Sequence, residues 1–158
     1  MAAVDYFLKI DGVEGESQDK THPNEIQLQS WSWGEVNQGS MGAGGGGGSG
    51  KVAMQDFHFT MGVNKATPML LIACATGDHI KSAILTCRKA GKDQQEFLKY
   101  SFFDVFISSY QTGGSDSPME QCSFNFTKIQ VDYKEQKIDG TLKGALTKSY
   151  DLKQQRAG

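Results

Sequence analysis

Cysteine and proline are scarce, at three residues each in 158, and the net charge is only −2. Cys74, Cys87 and Cys122 are an odd number without C-x-x-C spacing, which argues against a disulfide framework or a zinc site and for buried, reduced thiols. Basic residues are scattered rather than gathered into a stripe, so nucleic acid is not expected as a partner. No apolar segment approaches the ~20 residues that span a bilayer, and membrane insertion is not expected either. The start, Met1-Ala2-Ala3-Val4-Asp5, lacks the basic stretch and apolar run of a Sec signal peptide, so the chain is expected to be made and folded in the cytoplasm. Internal repeats are missing as well. The length suits a single domain over residues 1–158, large enough to bury about two-thirds of its unfolded surface without disulfide or metal staples.

Glycine is abundant, at 19 residues, and it crowds into residues 42–50. Residues 45–51 satisfy G-x-x-x-x-G-K, the phosphate-cradling pattern, but the next residue is Val52 where that motif needs a hydroxyl for Mg²⁺. The following stretch is not helical: Phe57, Phe59 and Met61 alternate with Asp56, His58 and Thr60 at a period of two. A nucleotide site is therefore set aside, and residues 39–50 read as a long glycine-rich loop between strands, with so little side chain that another surface can pack on its backbone. No cofactor is expected, and no metal.

The remaining pattern is mostly strand. Residues 6–10 form a short strand stopped by Asp11-Gly12, and residues 15–24 are a polar loop in which His22 is given no chemistry. Residues 26–37 read as one strand with Trp31 and Trp33 on one face and Ser30 and Ser32 on the other. The two indoles either fill the core or form an exposed platform, which would make the chain a carbohydrate- or peptide-binding β-barrel module. Asp56 and His58, two apart on one strand face, could form a carboxylate-oriented base. No Ser or Cys is tied to them by a motif such as G-x-S-x-G, so no catalytic residue is assigned and the chain is read as a non-enzyme.

One helix is expected at about residues 65–76, with Asn64 or Thr67 as N-cap, Pro68 in the first turn and Gly77 as the stop. It is apolar nearly all round, so it must be covered by a sheet or by a neighbouring subunit. Strands follow at residues 79–89, 96–110, 119–134 and 141–152, and the tail 153–158 is expected to fray. In the longest of these, Phe97, Phe103, Val105 and Ile107 oppose Leu98, Tyr100, Phe102 and Phe106, so both faces look apolar and one of them hints at self-association. Seven or so strands joined by short turns imply a mainly β fold, an antiparallel β-barrel of two packed sheets with one α-helix flanking it.

Several stretches together resemble one family from end to end. They are residues 7–17, Phe-Leu-Lys-Ile-Asp-Gly-Val-Glu-Gly-Glu-Ser; Trp31-Ser32-Trp33-Gly34; the glycine run; Ala75-Thr76-Gly77-Asp78-His79; Arg88-Lys89-Ala90-Gly91; Phe124-Asn125-Phe126; and Val131-Asp132-Tyr133. The chain is similar in these to the haemolysin-coregulated protein (Hcp) family, the inner tube of the bacterial type VI secretion system. The resemblance implies a β-barrel subunit with a flanking helix, assembled as a homohexamer whose rings stack into a tube. It implies as partners a valine-glycine repeat spike protein, contractile sheath and baseplate proteins, and small secreted effectors carried in the lumen. It also implies export by the type VI route, to the extracellular space or a target cell, without a signal peptide. Ser30 and Ser32 become candidate lumen contacts, with Trp31 and Trp33 turned into the barrel. Gly42, Gly44, Gly45, Gly46, Gly47, Gly48, Ser49 and Gly50 become candidates for an inter-subunit or inter-ring loop. The chain ends soon after its last strand, so no appended effector domain is expected.

Overall fold

Alternation of apolar and polar residues makes most of this chain strand, and where the alternation slips the strands break or kink. The computed structural model describes residues 4–39, 51–90 and 94–158. Twelve strands and one helix occur among them: β1 Val4–Ile10, β2 Ile26–Leu28, β3 Ser30–Ser32, β4 Glu35–Asn37, β5 Val52–Met54, β6 Phe57–Gly62, α1 Thr67–Thr76, β7 His79–Lys89, β8 Glu96–Gly113, β9 Met119–Asn125, β10 Lys128–Tyr133, β11 Leu146–Asp151 and β12 Arg156–Ala157. The main sheet runs β12-β11-β10-β8-β7-β1-β2, and a branch leaves β8 through β9 and β6 to β3. All of these pairings are antiparallel.

The 18-residue β8 is the spine. Its first half pairs with β10, from Leu98↔Tyr133 to Phe103↔Lys128, and its second half pairs with β9, from Phe106↔Asn125 to Gly113↔Met119. The two layers that diverge from it enclose Leu8, Leu85, Phe57, Phe59, Phe102, Ile107 and Phe124, all at most 1 % exposed. The fold is mainly β with one helix, as the alternation implies. The two sheets pack on each other, but the barrel is not closed by hydrogen bonds, because β2 pairs only with β1 and β3 only with β6.

Four expectations are corrected. Residues 26–37 are three short strands, each with a different partner, because the chain crosses there from one layer to the other: Gln29 N donates to Thr60 O at 2.9 Å between β2 and β3. The long strand at 119–134 is likewise two, interrupted at Phe126 and Thr127 where it leaves the β6 layer for the β11 layer. The tail does not fray; β12 pairs with β11, and Gly158 N donates to Ser149 O at 3.0 Å. The two-faced apolar pattern of β8 is mostly resolved inside the monomer. Asp104 takes φ 54°, a left-handed conformation that interrupts the alternation, so Phe102, Val105 and Ile107 all reach the core while Phe106 turns outward.

The helix forms where expected, with Pro68 in its first turn and Gly77 closing it at φ 69°, where Gly77 N donates to Ala73 O at 3.0 Å. Its N-cap position is Ala66, which lies between the two expected caps; Asn64 contributes by accepting from Ala66 N through Oδ1 at 2.8 Å. The expectation of cover on most sides is not met within one chain. Leu70 and Ala73 are buried, whereas Met69, Leu71 and Ile72 are exposed, together with nearby Val63.

Candidate functional site

Branching at β8 sets β3, β6, β9 and the second half of β8 side by side as a four-stranded layer whose two faces differ in chemistry. Its inner face carries Trp31, Phe57, Phe59, Met61 and Phe124 against the core. Its outer face is built from register. Ser30 pairs with Thr60, Thr60 with Gln121 and Gln121 with Gln111; two residues along, Ser32 pairs with His58, His58 with Ser123 and Ser123 with Ser109. Residues two apart on a strand share a face, so these two rows tile one surface. They bound a concavity of about 440 Å³.

The tile is polar and almost without charge. His58 is the one titratable side chain in its two rows, the rest being hydroxyls and carboxamides. Ser30 and Ser32 are both exposed, and Ser30 Oγ lies 2.6 Å from Thr60 Oγ1. A register irregularity between Ile107 and Ser109 brings an extra hydroxyl to the layer. Ser108 Oγ donates to Asp56 Oδ2 at 2.5 Å and lies 2.8 Å from Ser123 Oγ, which is itself 2.5 Å from Ser109 Oγ. Asp56 is therefore engaged by a serine rather than by His58, and no carboxylate orients that imidazole among the described residues. Such a surface can exchange hydrogen bonds with a polar protein surface, and among the described residues no tile hydroxyl is hydrogen-bonded to His58.

The tryptophans lie against the core, half-buried. Trp31 stacks on Phe57 with centroids 5.9 Å apart and planes at 14°, and meets Tyr6 and Tyr100 edge-on; Trp33 packs on Tyr100 and Phe126. A stacking platform would need those ring faces open. Gly42, Gly44, Gly45, Gly46, Gly47, Gly48, Ser49 and Gly50 lie outside the described residues. Among the described residues, the flanking β4 and β5 pair only with each other.

Three buried residues with acidic or basic side chains escaped the sequence reading. Glu120 is fully buried and accepts from Thr67 Oγ1 at 2.5 Å and from the Tyr110 hydroxyl, which ties the start of α1 to β8 and β9. Burial, reinforced by the bond to Glu120, pushes the Tyr110 phenol up to about 12. A signal existed: Glu120 shares strand parity with Cys122 and Phe124 and so belongs to the core-facing set. His22 and Arg88, at 8 % and 4 % exposure, are the other two. Of the three cysteines expected to be buried, Cys87 and Cys122 are, and burial pushes both thiols up to about 12, whereas Cys74 is half-buried. No group of three or more His, Cys, Asp or Glu side chains is placed to hold a metal ion among the described residues, and no helix is long and apolar enough to cross a membrane.

Comparison with known proteins agrees in sequence and in fold. A family model described as type VI secretion system effector, Hcp, matches residues 7–133. Protein hcp1 of Pseudomonas aeruginosa is 49 % identical over 150 residues, covering 92 % of this chain and 93 % of that protein. The crystal structure of Hcp1 from Salmonella typhimurium superposes with a TM-score of 0.83 at 35 % identity, covering 99 % of this chain and 100 % of the other. A structure described as a type six secretion system protein reaches 0.91 at 29 % identity with the same coverage. By sequence across most of its length and by fold across nearly all of it, the chain belongs to the Hcp family of type VI secretion system proteins.

Proposed function

We propose that this chain is the repeating subunit of a type VI secretion tube, associating into hexameric rings that stack, with the polar tile turned toward the lumen. The observation that carries the reading is the four-stranded layer itself. Its outer face is almost without charge and hydrogen-bonding, and among the described residues each end of the layer is a strand paired on one side: β3 with β6, and residues 107–113 of β8 with β9. A strand edge with unpaired backbone groups is a template for another strand. Pairing β3 of one subunit with β8 of the next would join two different patches, a heterologous contact that closes into a ring when its rotation divides the circle. The exposed apolar face of α1 fits a second contact in such an assembly.

On this reading the chain does no chemistry of its own. Ser30, Ser32 and their row partners hold small effectors by many weak hydrogen bonds, and enclosure shields the cargo. The glycine-rich segment at 42–50 reaches a neighbouring subunit or ring. The spike protein of the valine-glycine repeat family, the sheath and the baseplate are the further partners, and the route runs from the cytoplasm to the outside or a target cell by the type VI machinery. Negative-stain electron microscopy of the purified protein is expected to show rings with a central hole, and sedimentation a species near six subunits. Monomer alone across a wide concentration range would overturn the reading.

A further inference from the structure

Residues 14–25 leave β1 and return to β2 as a strap held by a buried ionic network. The strap closes on itself through Gly15 N to Asn24 O at 2.8 Å, Ser17 N to Glu25 O at 3.0 Å and Asn24 N to Ser17 O at 2.8 Å. Gly15 is needed there, because a Cβ at that position would lie 2.5 Å from Glu25 O. His22 then anchors the strap to the sheet. Its ring stacks on Phe7 of β1, centroids 4.6 Å apart and planes at 11°. Its Nδ1 lies 2.9 Å from Glu25 Oε2, on the strap, and its Nε2 lies 2.5 Å from Glu96 Oε1, on β8.

Both ring nitrogens therefore face carboxylate oxygens. An ionised carboxylate only accepts, and a neutral imidazole has one N–H to give. The trio is satisfied only with one proton more than a neutral ring between two carboxylates would carry. Without it, one bare nitrogen of the buried imidazole sets its lone pair against a carboxylate lone pair. The surrounding charges are all nearby. Arg88 of β7 lies 4.7 Å from the centroid of the same Phe7 ring, and its guanidinium holds Asp19 of the strap through both nitrogens at 2.9 Å and Asp5 of β1 at 3.2 Å. Asp19 Oδ2 in turn accepts from the backbone N–H groups of Thr21 at 3.0 Å and His22 at 3.2 Å. Among the described residues, four carboxylates thus surround one guanidinium and one imidazole.

We propose that His22 is a proton-operated latch: residues 14–25 are clamped to β1 and β8 while both ring nitrogens carry protons, and are released when one proton leaves. The latch bears on a surface. Glu14, Pro23, Asn24 and Glu25 of the strap form one wall of a groove of about 650 Å³ whose other wall is Lys65, Pro68 and Met69 at the start of α1. Release frees the Pro23–Glu25 end of that wall, while the Arg88–Asp19 fork and the bonds from Lys65 to Glu14 and Glu16, none of which depends on the His22 proton, keep the rest of the strap tethered.

Hydrogen exchange on the intact chain tests the latch, with amide rates corrected for their intrinsic pH dependence. Protection at Ser17, His22 and Asn24 is expected to fall about tenfold to a hundredfold between about pH 6 and about pH 9, the size of a lost charge-assisted bond, while β1 and β7 hold theirs. Glu96→Gln offers Nε2 a partner that can donate as well as accept, so its strap is expected to stay protected across the same range. Nitrogen-15 spectra of the imidazole at neutral pH are expected to show both nitrogens protonated. Strap protection that is flat with pH in the native chain, a bare ring nitrogen with the strap still clamped, or a Glu96→Gln chain that loosens as the native does would each overturn the proposal.

Discussion

Asp19 shows how one residue turns position into a measurable dependence on acid. The Arg88 guanidinium, by hydrogen bond first and by charge besides, holds its carboxyl well below the usual carboxylate range, helped by the Thr21 backbone N–H. The folded chain thus binds fewer protons there than the unfolded one, whose Asp titrates near about 4. A depressed folded value means stability that is fully present above about pH 4 and is lost as pH falls below it. Denaturant midpoints measured from about pH 5 down to about pH 2 are expected to fall more steeply for the native chain than for Asp19→Asn, which has no proton to take up at that site. Equal slopes would show that Asp19 does not report on acid unfolding. Nothing local in the sequence marks Asp19, since it lies in a polar loop where another acidic residue looks like solvated surface. Its partner is 69 positions away, and that distance is why sequence pattern missed it. Glu120 was also missed, but there a local signal existed, because its strand parity with Cys122 and Phe124 puts it on the core-facing side.

At the scale of elements, α1 separates residues that stabilise the chain from residues it leaves exposed. Leu70 is fully buried, and Ile72, two positions on, is 54 % exposed. Leu70→Ala is expected to cost about 2–5 kcal/mol by leaving a cavity under the helix. Ile72→Ala should stay within about 0.5 kcal/mol, since an exposed side chain has little burial to lose. Denaturation at concentrations low enough to keep subunits apart checks both; comparable losses would mean that the outer face is packed within the monomer. The helix was readable because its ends carry strong local chemistry, Pro68 and Gly77. Strand breaks were not. The crossings at residues 26–37 and at Phe126–Thr127 follow from which layer each half pairs with, which no local period records. The turn of Asp104 to φ 54° is similarly set by tertiary context, and it removed the apparent excess of apolar face on β8.

For the whole molecule, what matters is that the tile exists only once four separated segments are in register. Ser30 and Ser32 were candidates by resemblance and His58 and Thr60 shared a strand face by alternation, but only pairing joins them to Gln121, Gln111, Ser123 and Ser109. If the tile holds cargo by many weak bonds, a change that crowds it without adding charge should weaken cargo retention and spare assembly. Ser32→Gln meets that requirement. The Ser32 side chain is exposed, so a longer carboxamide meets no core residue, and its cross-strand neighbour is His58. The variant is expected to form rings with the sedimentation coefficient of the native protein, while the amount of small type VI effector recovered with those rings drops several-fold by quantitative mass spectrometry. Intact rings that retain effector at the native level would separate the tile from cargo binding and leave it as a polar wall only. Loss of the rings themselves would instead place Ser32 in the contact between subunits, since β3 is also the edge proposed to pair with the next subunit.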